Sequence, residues 1–172
     1  MTQRTMRNIG LLGLLVVIGV AGWVAWTRGP ASTTRQTEVR ARGQSVMPFD
    51  LDQTQHTFTT TATGGVETVV ARDPANQGQI ALIQEHLAHE ARQFAAGTFT
   101  DPAAIHGADM SGLAALSAGA SAIRFDYVPL PTGGQITYTT SDQALITALH
   151  AWFGAQVTDH GHDATGHDGT HP

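Results

Sequence analysis

The feature that most constrains this chain is an uninterrupted apolar run near its N-terminus. Residues 9–26 read IGLLGLLVVIGVAGWVAW and hold no charged side chain. A helix rises about 1.5 Å per residue, so this run nearly spans the roughly 30 Å hydrocarbon core of a bilayer. Trp23 and Trp26 near its end suit a membrane interface. We therefore predict a transmembrane anchor. A cleaved signal peptide is the alternative, because Arg4 and Arg7 precede the run.

The arginines on both sides of the apolar run do not decide which end of this anchor faces the cytoplasm. Residues 1–8 form a short tail with two arginines, but four more arginines follow the apolar run between residues 28 and 42. The positive-inside rule therefore gives a mixed answer. A short tail before a long exported domain is the commoner arrangement for a single span. We expect a single-pass protein of the cell membrane, with its soluble domain in the periplasm or otherwise outside the cytoplasm.

The rest of the chain divides into three parts. Residues 27–46 are polar and predict a flexible linker. Residues 47–158 alternate two hairpin patterns with helical ones, in the order ββ-α-(α)-ββ-α, and residues 98–112 are predicted as a loop. This order predicts an α+β domain with helices packed on an antiparallel sheet. Residues 159–172 are rich in Gly, His and Asp and predict a disordered tail.

Composition excludes several classes of function. All nine basic residues are arginine, and the net charge is −5 with His neutral, which argues against a nucleic-acid partner. The absence of Cys excludes disulfides and thiolate metal sites. The chain has no Gly-x-Ser-x-Gly, no Lys-containing phosphate loop and no His-Glu-x-x-His. We therefore predict neither catalytic residues nor an organic cofactor.

Histidine is the most informative residue type, with nine copies in the chain. Four of them are interleaved with aspartates in the tail: His160, His162, His167 and His171. Imidazole and carboxylate donors together suit Cu²⁺, Zn²⁺ or Ni²⁺. A disordered, solubilising tail that binds no specific ion is the alternative interpretation.

A second group of candidate ligands lies largely in the folded domain. The metal ligands that we predict are His56, His86, His106, Met110, His150 and His160. A His/Met mixture is typical of copper, which we favour over zinc or nickel. Glu90 lies four residues after His86 at the edge of the apolar stripe, so it needs a partner: His86, Arg124 or a metal. The alternative is that His86 and His150 are half-buried and bonded to backbone, that His56 is a surface residue, and that Met110 only fills the core or a loop.

Residues 47–161 contain four distinctive segments: MPFDLDQTQHTF (47–58), IALIQEHLAHEARQF (80–94), GTFTDPAAIHGADMSGL (97–113) and ITYTTSDQALITALHAWFGAQVTDHG (136–161). These segments resemble a family of small bacterial proteins that are often labelled aspartate carbamoyltransferase. The resemblance implies a special place for five histidines and one methionine: His56, His86, His106, His150, His160 and Met110. The label implies carbamoyl transfer, for which carbamoyltransferases use a Ser-Thr-Arg-Thr turn and a His-Pro-x-Gln segment. Here STTRQT (32–37) falls in the predicted linker, and the one His-Pro ends the chain.

Three functions follow from the sequence, in descending order of preference. The first is a membrane-anchored protein outside the cytoplasm that binds a transition metal, copper above others, for sequestration or handover. The second is an interaction domain of the cell envelope that binds a protein and no metal. The third is an enzyme such as a carbamoyltransferase.

Overall fold

The computed structural model describes residues 28–169, with side chains from residue 33 onward. The five helices in this part of the chain are α1 (Arg28–Val46), α2 (Gln77–Ala95), α3 (Thr100–His106), α4 (Leu113–Gly119) and α5 (Gln143–His160). The five strands are β1 (Thr54–Thr61), β2 (Gly64–Ala71), β3 (Arg124–Leu130), β4 (Gly133–Thr139) and β5 (Ala164–Asp168). The predicted α+β class is confirmed.

The strands form one mixed sheet in the order β3-β4-β2-β1-β5. The two predicted hairpins are present as the antiparallel pairs β1–β2 and β3–β4, and β2 pairs with β4 between them. The fifth strand runs parallel to β1. The sheet is therefore mixed, whereas the sequence predicts an antiparallel one. The difference arises because β5 follows a helix and returns along the open edge of β1.

Helices α2 and α5 cover the same face of the sheet. Helix α2 packs on β2, β3 and β4, whereas α5 packs on β1, β2 and β5. The rings of Phe94 on α2 and Trp152 on α5 lie 6.0 Å apart, which places the two helices side by side. Their apolar stripes and the inward-facing strand residues Phe58, Val69 and Ile136 form the core. The expected packing of the helices on one face is therefore observed.

The sequence predicts N-caps at Asp73, followed by Pro74, and at Ser141, but α2 and α5 begin later than those caps imply. The side chain of Asn76 caps α2, and Asp73 makes a turn just before the cap by accepting a hydrogen bond from the Ala75 amide. Asp142 rather than Ser141 caps α5. Part of the predicted loop 98–112 is the short helix α3, whose buried residues Pro102, Ile105 and His106 face inward.

The predicted linker is instead helix α1, which packs on α3 and α5. Val39 is fully buried and is an anchor point of this helix. Ion pairs also join α1 to the rest of the domain, including Arg35 with Asp159 and Arg40 with Asp163. Because this buried face contains little apolar surface, it gave no helical period in the sequence.

The predicted disordered tail is partly ordered. Helix α5 continues through Asp159 and His160, and Ala164–Asp168 pairs with β1 in register from His56 to Thr60. Gly, His and Asp have low strand propensity, so the pairing depends on the neighbouring strand rather than on local sequence.

The predicted membrane anchor over residues 9–26 lies outside the described residues. Within residues 28–169, no helix has both the length and the apolar character that a membrane crossing requires.

Candidate functional site

One imidazole and two carboxyl side chains converge where α2 meets α3. His86 and Glu90 are separated by one turn of α2, and Asp101 lies in the first turn of α3. One donor atom from each of the three residues lies within 4.8 Å of the other two. His86 and Glu90 are buried and Asp101 is half-buried. We call these three residues the HED cluster.

The protonation states of the HED cluster follow from its burial. Burial raises the pKa of Glu90 to about 8, and the nearby carboxylates of Asp101 and Glu67 act in the same direction. The carboxyl groups of Glu90 and Asp101 have oxygen atoms within 4.8 Å of each other, so the close second carboxyl group favours the protonated form of Glu90. Burial lowers the pKa of His86, so its ring is neutral near pH 7 and keeps a free lone pair.

A small cavity of about 40 Å³ lies between the sheet and the helices, next to the HED cluster. Its polar lining includes His86 and Glu90 of the cluster, together with residues of β1, β2, α3 and α5. These further residues are His56, Glu67, His106, Trp152, Gln156 and His160. Apolar side chains, among them Phe49, Phe58 and Phe94, complete the wall.

The other three cavity histidines, on β1, α3 and α5, contact one another through their rings. The rings of His56 and His160 are nearly parallel, with centroids 5.4 Å apart. His106 meets His160 edge to face at 4.9 Å. Burial lowers the pKa of all three, to about 4 for His56, so the rings are neutral near pH 7.

The orientation of His106 is fixed from outside the cavity. Its Nδ1 lies 2.9 Å from a carboxylate oxygen of Asp159 on α5. Arg35 of α1 binds the same carboxylate through two bonds of 2.7 and 3.0 Å and also donates to the backbone carbonyl of His106. Burial alone would raise the pKa of Asp159, but the bonds from Arg35 and His106 lower it. An ionised Asp159 holds the proton of His106 on Nδ1, which leaves Nε2 with the free lone pair.

A second carboxyl group reaches the cavity from the sheet. Glu67 lies on the same face of β2 as Val69, and its carboxylate accepts a hydrogen bond of 2.6 Å from the hydroxyl of Tyr138. Residual exposure of Glu67 is intermediate, but its carboxyl group is at the cavity wall. Burial raises its pKa to about 7, although the bond from Tyr138 opposes the shift.

Three polar atoms of cavity residues have no hydrogen-bond partner within the described part of the chain. They are Nδ1 of His56, Nε1 of Trp152 and Oε1 of Gln156. All three residues are at least nine-tenths buried. Leaving a buried donor or acceptor unpaired costs about 1–3 kcal/mol, so three such atoms around one cavity indicate that it is built for polar contents.

The structure brings together four of the six predicted ligands. His56, His86, His106 and His160 all line the cavity, as described above. Met110 is buried in the hydrophobic core and is not among the cavity residues. His150 lies away from the cavity, where its Nε2 is within 2.9–3.1 Å of the carbonyl oxygens of Thr61 and Gly64. In this arrangement His150 joins α5 to the first hairpin.

Several site residues escaped the sequence analysis. Asp101 gave no signal, because Glu90 lies 11 residues away along the chain. Asp159 is one of the tail aspartates considered with the tail histidines, but nothing in the sequence linked it to His106, 53 residues away. Glu67 had a usable signal, since strand alternation places it on the inner face with Val69. Of the partners proposed for Glu90, Arg124 is excluded, because it is largely exposed and pairs with Asp126.

Comparisons with models of protein families, with curated proteins and with solved structures find no match to this chain. The family resemblance drawn from the four segments therefore stays a prediction. The function is argued below from the site alone.

Proposed function

We propose that this protein binds one divalent transition-metal ion at the HED cluster. The observation that carries the proposal is the convergence of an imidazole and two carboxyl groups, with donor atoms within 4.8 Å of one another, in a largely buried position. Such a group of buried carboxyl groups is stabilised by a cation, because the ion offsets their mutual repulsion. Three protein ligands and an open position are the usual arrangement of a reactive rather than a purely structural metal site.

The donor set favours some metals over others. One nitrogen and two oxygens suit Zn²⁺, Cu²⁺, Ni²⁺ and Fe²⁺, and among divalent ions Cu²⁺ binds such sites most tightly. Copper therefore remains the favoured ion, but as Cu²⁺, because the thioether of Met110 is not at the site. The cluster gives no reason to favour Cu⁺, which prefers sulfur ligands.

The cellular setting of the proposal comes from the sequence. An anchor over residues 9–26 would hold the domain close to a membrane, outside the cytoplasm. Helix α1 begins two residues after that run and packs against the domain, so the metal site would lie near the membrane surface. Sequestration or handover of a metal at the membrane is the role that fits this setting.

The test is metal binding by the purified full-length chain in detergent, without an affinity tag. Substitutions His162→Ala, His167→Ala and His171→Ala remove the tail histidines that would bind ions unspecifically. Calorimetry with Cu²⁺ and with Zn²⁺ should then give one ion per chain. Glu90→Gln should weaken binding at least about tenfold, because a ligand has been replaced by a neutral amide.

Glu85→Gln is the matched control, since Glu85 is an exposed carboxylate on the same helix. It should leave the affinity unchanged. Equal affinities for the Glu90→Gln and Glu85→Gln variants would contradict the proposed site. Absence of any binding by the parent would instead favour the interaction domain without a metal.

A further inference from the structure

The cavity beside the HED cluster contains more polar groups than a metal at that cluster would use. His86 and Glu90 form one part of its wall, whereas His56, Trp152 and Gln156 lie on other elements. Each of these last three residues has one buried nitrogen or oxygen atom without a partner in the described part of the chain, and all three residues line the same cavity. This polar wall is independent of the observation that defines the metal site.

The size of the cavity limits what it can hold. A water molecule needs about 10–15 Å³ by this measure, so a volume of about 40 Å³ accepts on the order of three water-sized atoms. A sugar, a nucleotide or an amino acid is too large. The apolar remainder of the wall strengthens each polar contact made inside, because the local dielectric constant is low.

We propose that the cavity binds a small ligand of the metal, of one to three heavy atoms, with its polar walls as hydrogen-bond partners. Water, hydroxide, peroxide and azide belong to this class. The inference rests on the proposed metal site, whose three protein ligands would leave coordination positions free beside a cavity that His86 and Glu90 line. His56 and Trp152 contact the ligand from the wall, and His106 presents a neutral ring that is oriented by Asp159 and Arg35.

The arrangement makes the site more than a store for a metal. A structural or storage site is closed by four protein ligands, whereas an open position beside a polar cavity admits an exogenous molecule. Small metal-bound ligands of this kind are the ones that buried imidazoles orient by hydrogen bonding. The cavity therefore defines the chemical class of a second binding partner for this protein.

The experiment uses the full-length chain without tail histidines, loaded with Co²⁺, whose visible absorption bands report its coordination. Azide is the probe. Adding azide should change the bands with saturation, and His56→Phe should weaken azide binding about tenfold, the loss expected for one buried hydrogen bond. Phenylalanine fits this position because His56 already packs between Phe49 and Phe58. Co²⁺ affinity should not change, since His56 is not in the HED cluster.

His89→Phe is the matched control, because His89 is exposed on α2, and it should leave azide binding unchanged. Gln156→Leu is a second cavity variant that removes an unpaired buried oxygen, so it should fold at least as well as the parent. It should also weaken azide binding. If Co²⁺ binds but azide leaves the bands unaltered, or if both cavity variants bind azide like the parent, the inference is overturned while the metal site stands. If Co²⁺ itself does not bind, both proposals fail.

Discussion

Asp159 connects three elements of the molecule through one carboxylate. It accepts a hydrogen bond from His106 at the end of α3 and two from Arg35 of α1, and it is itself part of α5. Its side chain retains only 11% exposure. Bonds to a carboxylate at such a position are worth more than surface ion pairs, because water competes for them less, even though Arg35 keeps 39% exposure.

We therefore expect Asp159→Asn to lower the free energy of unfolding by about 2 kcal/mol, since the amide loses the charge that faces Arg35. Urea denaturation of the metal-free protein measures this difference. Asp126→Asn is the control: Asp126 pairs with Arg124 on the surface, with 43% and 70% exposure. That change should cost less than about 0.5 kcal/mol. Equal effects for the two variants would contradict the role given to Asp159.

Glu67 makes the stability of the metal-free protein depend on pH. Its pKa is about 7 in the folded protein, against an ordinary value of 4.5. Between these pH values the folded chain holds a proton that the unfolded chain has released. The stabilising contribution is therefore present below pH 4.5 and is lost as the pH rises through 7.

Glu67→Gln removes this titration but keeps an oxygen that accepts the Tyr138 hydrogen bond. Relative to the parent, the variant should gain up to about 1.4 kcal/mol of stability for each unit of pH between 5 and 7. Urea midpoints at pH 5, 6 and 7 in the presence of a chelator measure the gain. The exposed Glu85→Gln change should follow the parent at every pH. A constant difference between Glu67→Gln and the parent would show that the carboxyl group of Glu67 is not desolvated at the cavity wall.

Among the elements, α1 departs furthest from its prediction, because the sequence predicts a flexible linker where the structure has a packed helix. It lies over α3 and α5, and its Arg35 reaches the carboxylate that orients His106. The helix that follows the predicted anchor therefore contacts, through Arg35 and Asp159, the His106 ring that lines the cavity. A segment expected to be a spacer is a structural part of the site.

Val39→Ala tests this packing. Val39 is fully buried, so removing two methyl groups should lower the free energy of unfolding by about 2 kcal/mol. Val128→Ala is the control, because Val128 is 48% exposed on β3, and it should have little effect. Thermal unfolding of the two variants and the parent gives the comparison. If Val39→Ala is as stable as the parent, α1 is not docked in solution.

Helices and strands whose apolar residues recur at a regular spacing could be predicted from the sequence, and those without such a spacing could not. The apolar stripe of α2 and the hairpin of β1 and β2 follow from side-chain spacing, although Gly64 and Gly65 lie in β2 rather than in the turn. Helix α1 and strand β5 have no such pattern, because partners distant in the sequence stabilise them. The residues within α1 and β5 do not by themselves indicate which distant elements they will contact.

At the scale of the whole molecule, the same distinction applies to the site. Histidine is rare enough to be singled out by residue type, and four of the six predicted ligands line one cavity. Which donor atoms converge depends on how α2 meets α3: that packing brings His86 to Asp101, whereas the predicted ligand Met110 lies in the hydrophobic core. Carboxylates are too common on surfaces to be selected before the fold is known.

The most direct test of the metal site is an anomalous difference map from crystals of the full-length chain loaded with Zn²⁺. We expect a single strong peak inside the protein, about 2.0–2.2 Å from a ring nitrogen of His86 and from carboxylate oxygens of Glu90 and Asp101. A fully loaded chain whose only peak lies at the tail histidines, with none between His86, Glu90 and Asp101, would contradict the account.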